Sequence, residues 1–150
     1  MKSERVPLPP LVCACASLRR AARAVTQAYD EELRGVGVNP AQYSLLYVLW
    51  RFGEMPQGKL GDVLAIDTTT LTRTLELLRK SGWISARPGD DRRQRHWRLT
   101  PAGERKRASA APRWQAAQAK LRTRLGARRF QLLLSELADV AGAGRGLAAK

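Results

Sequence analysis

Acidic residues are scarce in this chain: 13 Asp+Glu stand against 27 Lys+Arg, so its 150 residues carry a formal net charge of +14. That surplus argues for a polyanionic partner, with DNA or RNA ahead of an anionic membrane surface. Long apolar runs are also missing, and none approaches the ~18 residues of a membrane span. The prolines of Val6-Pro7-Leu8-Pro9-Pro10 interrupt the apolar stretch that a signal peptide would need. Cysteine is confined to Cys13 and Cys15, which make no disulfide framework, so a reducing, cytoplasmic setting is expected. His96 is the only histidine and lies far along the chain from both cysteines. Two cysteines at helical i, i+2 spacing do not chelate zinc as a pair, so no metal is expected. The chain lacks a glycine-rich phosphate loop, paired carboxylates in an apolar context and a base to serve Cys15. Those absences argue against an enzyme, and no cofactor is expected.

What is present suits a globular chain. Hydrophobic residues make up 44% and charged residues 27%, unlike a disordered basic tail. The length fits one domain, or a small domain with helical extensions. Leu11, Cys15, Leu18, Ala22, Val25, Tyr29 and Leu33 recur in four- and three-residue steps, the stripe of a helix of roughly six turns. Gly35 and Gly37 end it. Asn39-Pro40 reads as a cap and first turn of a second helix, Ala41 to Phe52. One face of that helix holds Ala41, Leu45, Val48, Leu49 and Phe52; the other holds Tyr43, Leu46, Tyr47 and Trp50. A helix apolar on both faces belongs between two layers.

A short helix is expected from Pro56 through Leu64, and a further one, capped by Asp67, from Thr68 to Lys80. Leu71, Leu75 and Leu78 would face inward there. Thr69, Thr70, Thr72, Arg73 and Lys80 would form a polar face suited to base edges and phosphates in a major groove. Trp83–Arg87 and His96–Leu99 read as two strands joined by a turn at Pro88-Gly89-Asp90-Asp91. Arg87, Arg92, Arg93, Arg95 and Arg98 crowd this hairpin, with Asp90 and Asp91 as the nearby acids. Arginines at that density fit the negative potential of a narrow minor groove. Two helices across a tight turn followed by a basic hairpin predict a winged helix-turn-helix, in a mainly α fold with a small β-wing. Thr100-Pro101 starts another helix that runs to Leu125, and Phe130, Leu133, Leu134, Leu137 and Val140 mark the last one. The glycine-rich stretch 142–150 is expected to be a flexible tail.

These residues resemble the MarR family of bacterial transcription regulators. The likeness spans about Leu11 to Val140 and is carried by Leu71-Thr72-Arg73, Gly82-Trp83-Ile84, and Asp91-Arg92-Arg93 leading to Leu99-Thr100-Pro101-Ala102-Gly103. The resemblance implies a winged helix-turn-helix over about 36–100, with dimerisation helices over about 8–35 and 101–141. It also implies an obligate homodimer that reads a pseudo-palindromic operator, most often as a repressor. Asp91 would orient Arg93, whose side chain enters the minor groove at the wing tip. An aromatic or phenolic effector would bind between the lobes, and Arg19, Tyr43, Tyr47 and Trp50 are the candidates to line its site. Cys15 and Tyr29 also match positions of the peroxide-sensing OhrR branch. Arg19 stands where that branch has a second tyrosine, so an oxidant-sensing thiol is the alternative input. A non-specific nucleoid-type DNA-binding protein is the other alternative.

Overall fold

A computed structural model describes residues 8–91 and 94–148. In chain order the elements are α1 (Ala14–Leu33), α2 (Pro40–Phe52), β1 (Met55–Pro56), α3 (Gln57–Leu64), α4 (Thr68–Lys80), β2 (Ile84–Pro88), β3 (Arg95–Leu99), α5 (Pro101–Leu125) and α6 (Ala127–Ala148). The fold is mainly helical with a small antiparallel sheet of order β1-β3-β2.

Local chemistry sets most of these boundaries. Asn39 and Gln42 form a reciprocal capping box at the start of α2, with Pro40 in its first turn. Asp67 accepts the Thr70 backbone N–H at 2.9 Å to open α4. Thr100 caps α5 by accepting the Gly103 N–H at 3.0 Å. The Thr100 hydroxyl donates in turn to the Gly82 carbonyl at 2.6 Å, and the Thr100 N–H to that of Trp83 at 3.1 Å. Gly103 is packed so closely that a Cβ there would lie 1.8 Å from the Trp83 carbonyl oxygen. The Gly82-Trp83 turn and the Thr100–Gly103 segment, far apart in sequence, are therefore one physical joint. Gly82 itself has φ +74°, a conformation that glycine adopts without strain.

The core lies in the middle of the chain. Leu45, Leu46 and Leu49 of α2, Leu60 of α3, Leu71, Leu75 and Leu78 of α4, Ile84 and Trp97 of the sheet, and Ala110 of α5 are buried together. Partly buried Tyr47, Trp83 and Trp114 pack against them. Helix α6 adds nothing to that cluster; its Phe130 is buried apart from it. The Lys106 ammonium, bonded to the Val36 carbonyl at 2.9 Å, ties α5 to the loop before α2.

Three features differ from the sequence expectation. Strand β1 was not foreseen: Met55 pairs with Trp97 and Pro56 with His96, and two residues leave no periodicity to read. Ala41 and Phe52, assigned to an inner face of α2, are exposed. Spacing placed them on the same side as Leu45 and Leu49, but they stand at the two ends of the helix, beyond its packed middle. The stretch from Gly142, expected to be a flexible tail, continues α6 as helix to Ala148. There the Arg145 guanidinium bonds the carbonyl and the carboxylate of Asp62 on α3, both at 2.6 Å, which gives this end of the helix a partner.

Candidate nucleic-acid interface and aromatic cleft

Helix α4 turns Leu71, Leu75 and Leu78 inward and leaves Thr69, Thr70, Thr72, Arg73 and Lys80 exposed, with Leu77 exposed as well. These side chains are not equivalent. Thr70 is engaged with Asp67, whose carboxyl is held below its usual value first by the Thr70 hydroxyl and then by the Thr70 backbone N–H. Thr74 returns its proton to the Thr70 carbonyl at 2.9 Å. Thr72 instead accepts a hydrogen bond from the Gln57 side chain at 2.8 Å. Arg73 and Lys80 extend the exposed face.

The wing is strands β2 and β3, paired from Ile84 with Leu99 to Pro88 with Arg95. Its arginines are balanced from outside the hairpin as well as by the acids at its turn. Glu54, just before β1, meets the Arg87 guanidinium at 2.5 Å and His96 Nδ1 at 3.5 Å. The hydrogen bond from Arg87 is the main reason the Glu54 carboxyl sits below its usual range. Glu76 of α4 reaches Arg95 at 3.5 Å and Arg79 at 2.9 Å, so one carboxylate joins the polar helix to the wing. Arg98 donates to the Ser85 hydroxyl at 3.2 Å. Asp91 is exposed at the turn, and Arg92 and Arg93 lie outside the described residues. Sequence reading missed Glu54, Glu76 and Gln57 because each acts on a residue far along the chain.

A second feature lies between α2 and α5. Tyr43 and Tyr47 stack against Trp114, with centroids 5.5 and 6.0 Å away, and Tyr47 meets Trp50 at 5.7 Å. Tyr43, Ser44, Tyr47, Val48, Leu64 and Trp114 line a cavity of about 160 Å³. Of the expected aromatics Tyr43 is buried, Tyr47 half-buried and Trp50 exposed. Arg19 is exposed on α1 and lies outside the cavity lining. The cation over the aromatic group is Arg107 of α5, 4.1 Å from the Trp50 ring centre. Its Nε is buried without a hydrogen-bond partner among the described residues. Burial pushes the Tyr43 hydroxyl upward, opposed by the neighbouring charge and hydrogen bond of Arg107. Arg107 and Trp114 carried no sequence signal, since α5 shows no clean apolar period around them.

Cys13 and Cys15 are both exposed at the start of α1. Tyr29 is half-buried and donates its hydroxyl to Gln118 Oε1 of the same chain. Among the described residues no group of three or more His, Cys, Asp and Glu side chains forms a metal site, and no helix is long and apolar enough to cross a membrane.

A helix pair around a tight turn, followed by a sheet whose outer hairpin carries arginine, defines a winged-helix transcriptional regulator. Residues 38–94 match the MarR family. The chain resembles the M. tuberculosis transcriptional regulator MosR, solved in complex with DNA, at 32% identity and a TM-score of 0.82. That match covers 90% of this chain and 98% of MosR. It also resembles YwoH, an HTH-type transcriptional regulator of Bacillus subtilis (strain 168), at 33% identity over 89 residues. That likeness spans 59% of this chain and 65% of the Bacillus protein, just under two thirds of its length. The transcriptional repressor CouR, bound to a 23-mer DNA duplex, is similar at 26% identity and a TM-score of 0.77, over 86% of this chain and 92% of CouR. The chain belongs to the MarR family.

Proposed function

We propose that this protein is a homodimeric, sequence-specific repressor that occupies a pseudo-palindromic operator and is released by a small aromatic or phenolic anion. The observation that carries the DNA reading is the coupling of α4 to the wing: Glu76 holds Arg95 against the helix that exposes Thr72 and Arg73. Thr69, Thr72, Arg73 and Lys80 then serve the major groove, with Thr70 at the end of the helix nearest its cap. Arg92, Arg93 and Arg95 serve the minor groove, with Asp91 supporting Arg93. The helices flanking the winged lobe, over about 8–35 and 101–141, pair two copies, which sets the recognition helices about one turn (~34 Å) apart. MosR and CouR, both solved with DNA, support the reading, and CouR's description as a repressor supports the sign of the output.

The effector proposal rests on Arg107. A guanidinium beside stacked aromatics, with a buried Nε lacking a partner, suits an aromatic ligand bearing a carboxylate or phenolate. In this reading Tyr43 and Tyr47 line the cavity, Trp50 and Arg107 stand beside it, and Arg107 takes the charge-pairing role expected of Arg19. The second reading, oxidant sensing through Cys15, is favoured by the exposure of both thiols. The bond from Tyr29 to Gln118 competes with any contact from Tyr29 to a partner's cysteine.

The test is anisotropy on a duplex selected from a random pool, with excess random competitor. Arg73→Ala is expected to cost about 1–3 kcal/mol on the selected duplex and much less on random DNA. Equal losses on both would reduce Arg73 to a phosphate contact, and failure to resist competitor would mean nucleoid-type binding. Release by an aromatic acid in the wild type but not in Arg107→Met supports the cleft. Release by a hydroperoxide in the wild type but not in Cys15→Ser supports the thiol instead.

A further inference from the structure

Gln57 opens α3 and stands between the wing and α4. Its Oε1 accepts the indole N–H of Trp97 at 3.1 Å, and its Nε2 donates to Thr72 Oγ1 at 2.8 Å. Trp97 is 1% exposed in the centre of the sheet, so its indole is a fixed reference point. An indole nitrogen can only donate, and it therefore dictates which end of the carboxamide faces it. The amide NH₂ is left to face Thr72, and the Thr72 oxygen must accept there. A hydroxyl that accepts on one side has its own proton to give elsewhere. Thr74, on the same helix, gives that proton back to the Thr70 carbonyl. Thr72 lies on the exposed face between Thr69 and Arg73.

We propose that Gln57 is a positioning residue that presents the Thr72 hydroxyl to the operator as a hydrogen-bond donor, and so selects the base it meets. The proposal rests on the operator-reading function above. A donor is satisfied by purine N7, guanine O6 or thymine O4, whereas the major-groove edge of cytosine offers an amino donor. Cytosine is therefore disfavoured at the position facing Thr72, because its amino group finds only the second lone pair of the Thr72 oxygen and leaves the hydroxyl proton without a base acceptor; Gln57 itself need touch no base. The chain of bonds from Trp97 through Gln57 to Thr72 makes a buried residue of the sheet part of the reading head.

Replacing the amide by a carboxylate reverses the second bond. In Gln57→Glu both oxygens accept, one from Trp97 and one from the Thr72 hydroxyl, which leaves the Thr72 oxygen free to accept from a base. The experiment sequences the duplexes retained from a random pool by full-length wild type, Gln57→Glu, Gln57→Met and Thr72→Val, with thermal melts on each protein. In Gln57→Glu, cytosine is expected to rise about fivefold or more at one position per half-site, a change of about one net hydrogen bond. The same position should lose its preference in Thr72→Val and in Gln57→Met. A uniform fall in affinity with unchanged base preferences, as added negative charge alone would produce, overturns the proposal and leaves operator reading intact. If Gln57→Glu does not fold, the other two variants decide: relaxation at different positions overturns the proposal. A wild type that enriches no sequence overturns operator reading and this inference together.

Discussion

The winged lobe buries Leu60, Leu71, Leu75 and Leu78 to 2% exposure or less, whereas α6 leaves Leu134 50%, Leu137 39% and Val140 44% exposed. Both stretches are comparably rich in leucine and both are helical, so composition does not explain the contrast. In the lobe, α2, α3, α4 and the sheet enclose one another within a single chain. Helix α6 packs mainly on α5 and buries only Phe130. The exposed start of α1, with Leu11, Val12 and Leu18, has the same character. A lobe that closes on its own core can keep its shape while it reads a ligand. In the homodimer proposed above, arms that leave apolar surface uncovered would obtain their burial from a second copy.

Substituting inside each region should separate the two. Leu75→Ala opens a cavity where the side chain is wholly buried, and a loss of about 2–5 kcal/mol is expected in denaturant melts. The loss should be much the same at low and high protein concentration. Leu137→Asp removes no part of the lobe core and instead places a charge on the uncovered face of α6. Its expected signature is dissociation, seen as a monomer in sedimentation and as a melting temperature that no longer rises with concentration. A Leu137→Asp protein that remains dimeric would show that α6 is not the pairing surface, and the contrast between lobe and arms would need another cause.

Much of the lobe was legible in the sequence because its punctuation is local. Asn39-Pro40, Asp67 and Thr100-Pro101 announce helix starts, Gly53, Gly82 and Gly126 follow helix ends, and the arginine-rich hairpin lies between α4 and α5. The polar face of α4 followed from the inward spacing of Leu71, Leu75 and Leu78. What could not be read is what the fold brings together from a distance. Glu54 on Arg87, Glu76 on Arg95, Gln57 on Trp97 and Thr72, and Arg107 on Trp50 are all tertiary pairs without a periodic signature. The same limit hid Arg107: the sequence offered Arg19, beside the stripe of the first helix, as a cation for an aromatic acid, whereas the guanidinium over Trp50 comes from α5. Helix α6 shows the converse: glycines at 142, 144 and 146 argue for a loose end, but the Arg145 bonds to Asp62 depend on where α3 lies.

The smallest expected effect probes whether the start of α4 is held by charge or by hydrogen bonding alone. The Asp67 carboxyl is held below its ordinary value by Thr70, so the folded state favours the ionised form. A group of that kind contributes stability in full above its unfolded pKa of about 3.9, and the contribution disappears as pH falls through the lower folded value. Asp67→Asn keeps a side-chain oxygen at the cap but cannot ionise. Wild type should therefore melt slightly higher than Asp67→Asn near neutral pH, and the gap should close as pH falls below about 4 and through the lowered folded-state value. The acid sensitivity of the other carboxylates is common to both proteins and cancels in the difference. A gap that stays constant through that range would mean that the cap acts through hydrogen-bond geometry alone. It would then place no electrostatic constraint on the helix end from which Thr69 and Thr70 project.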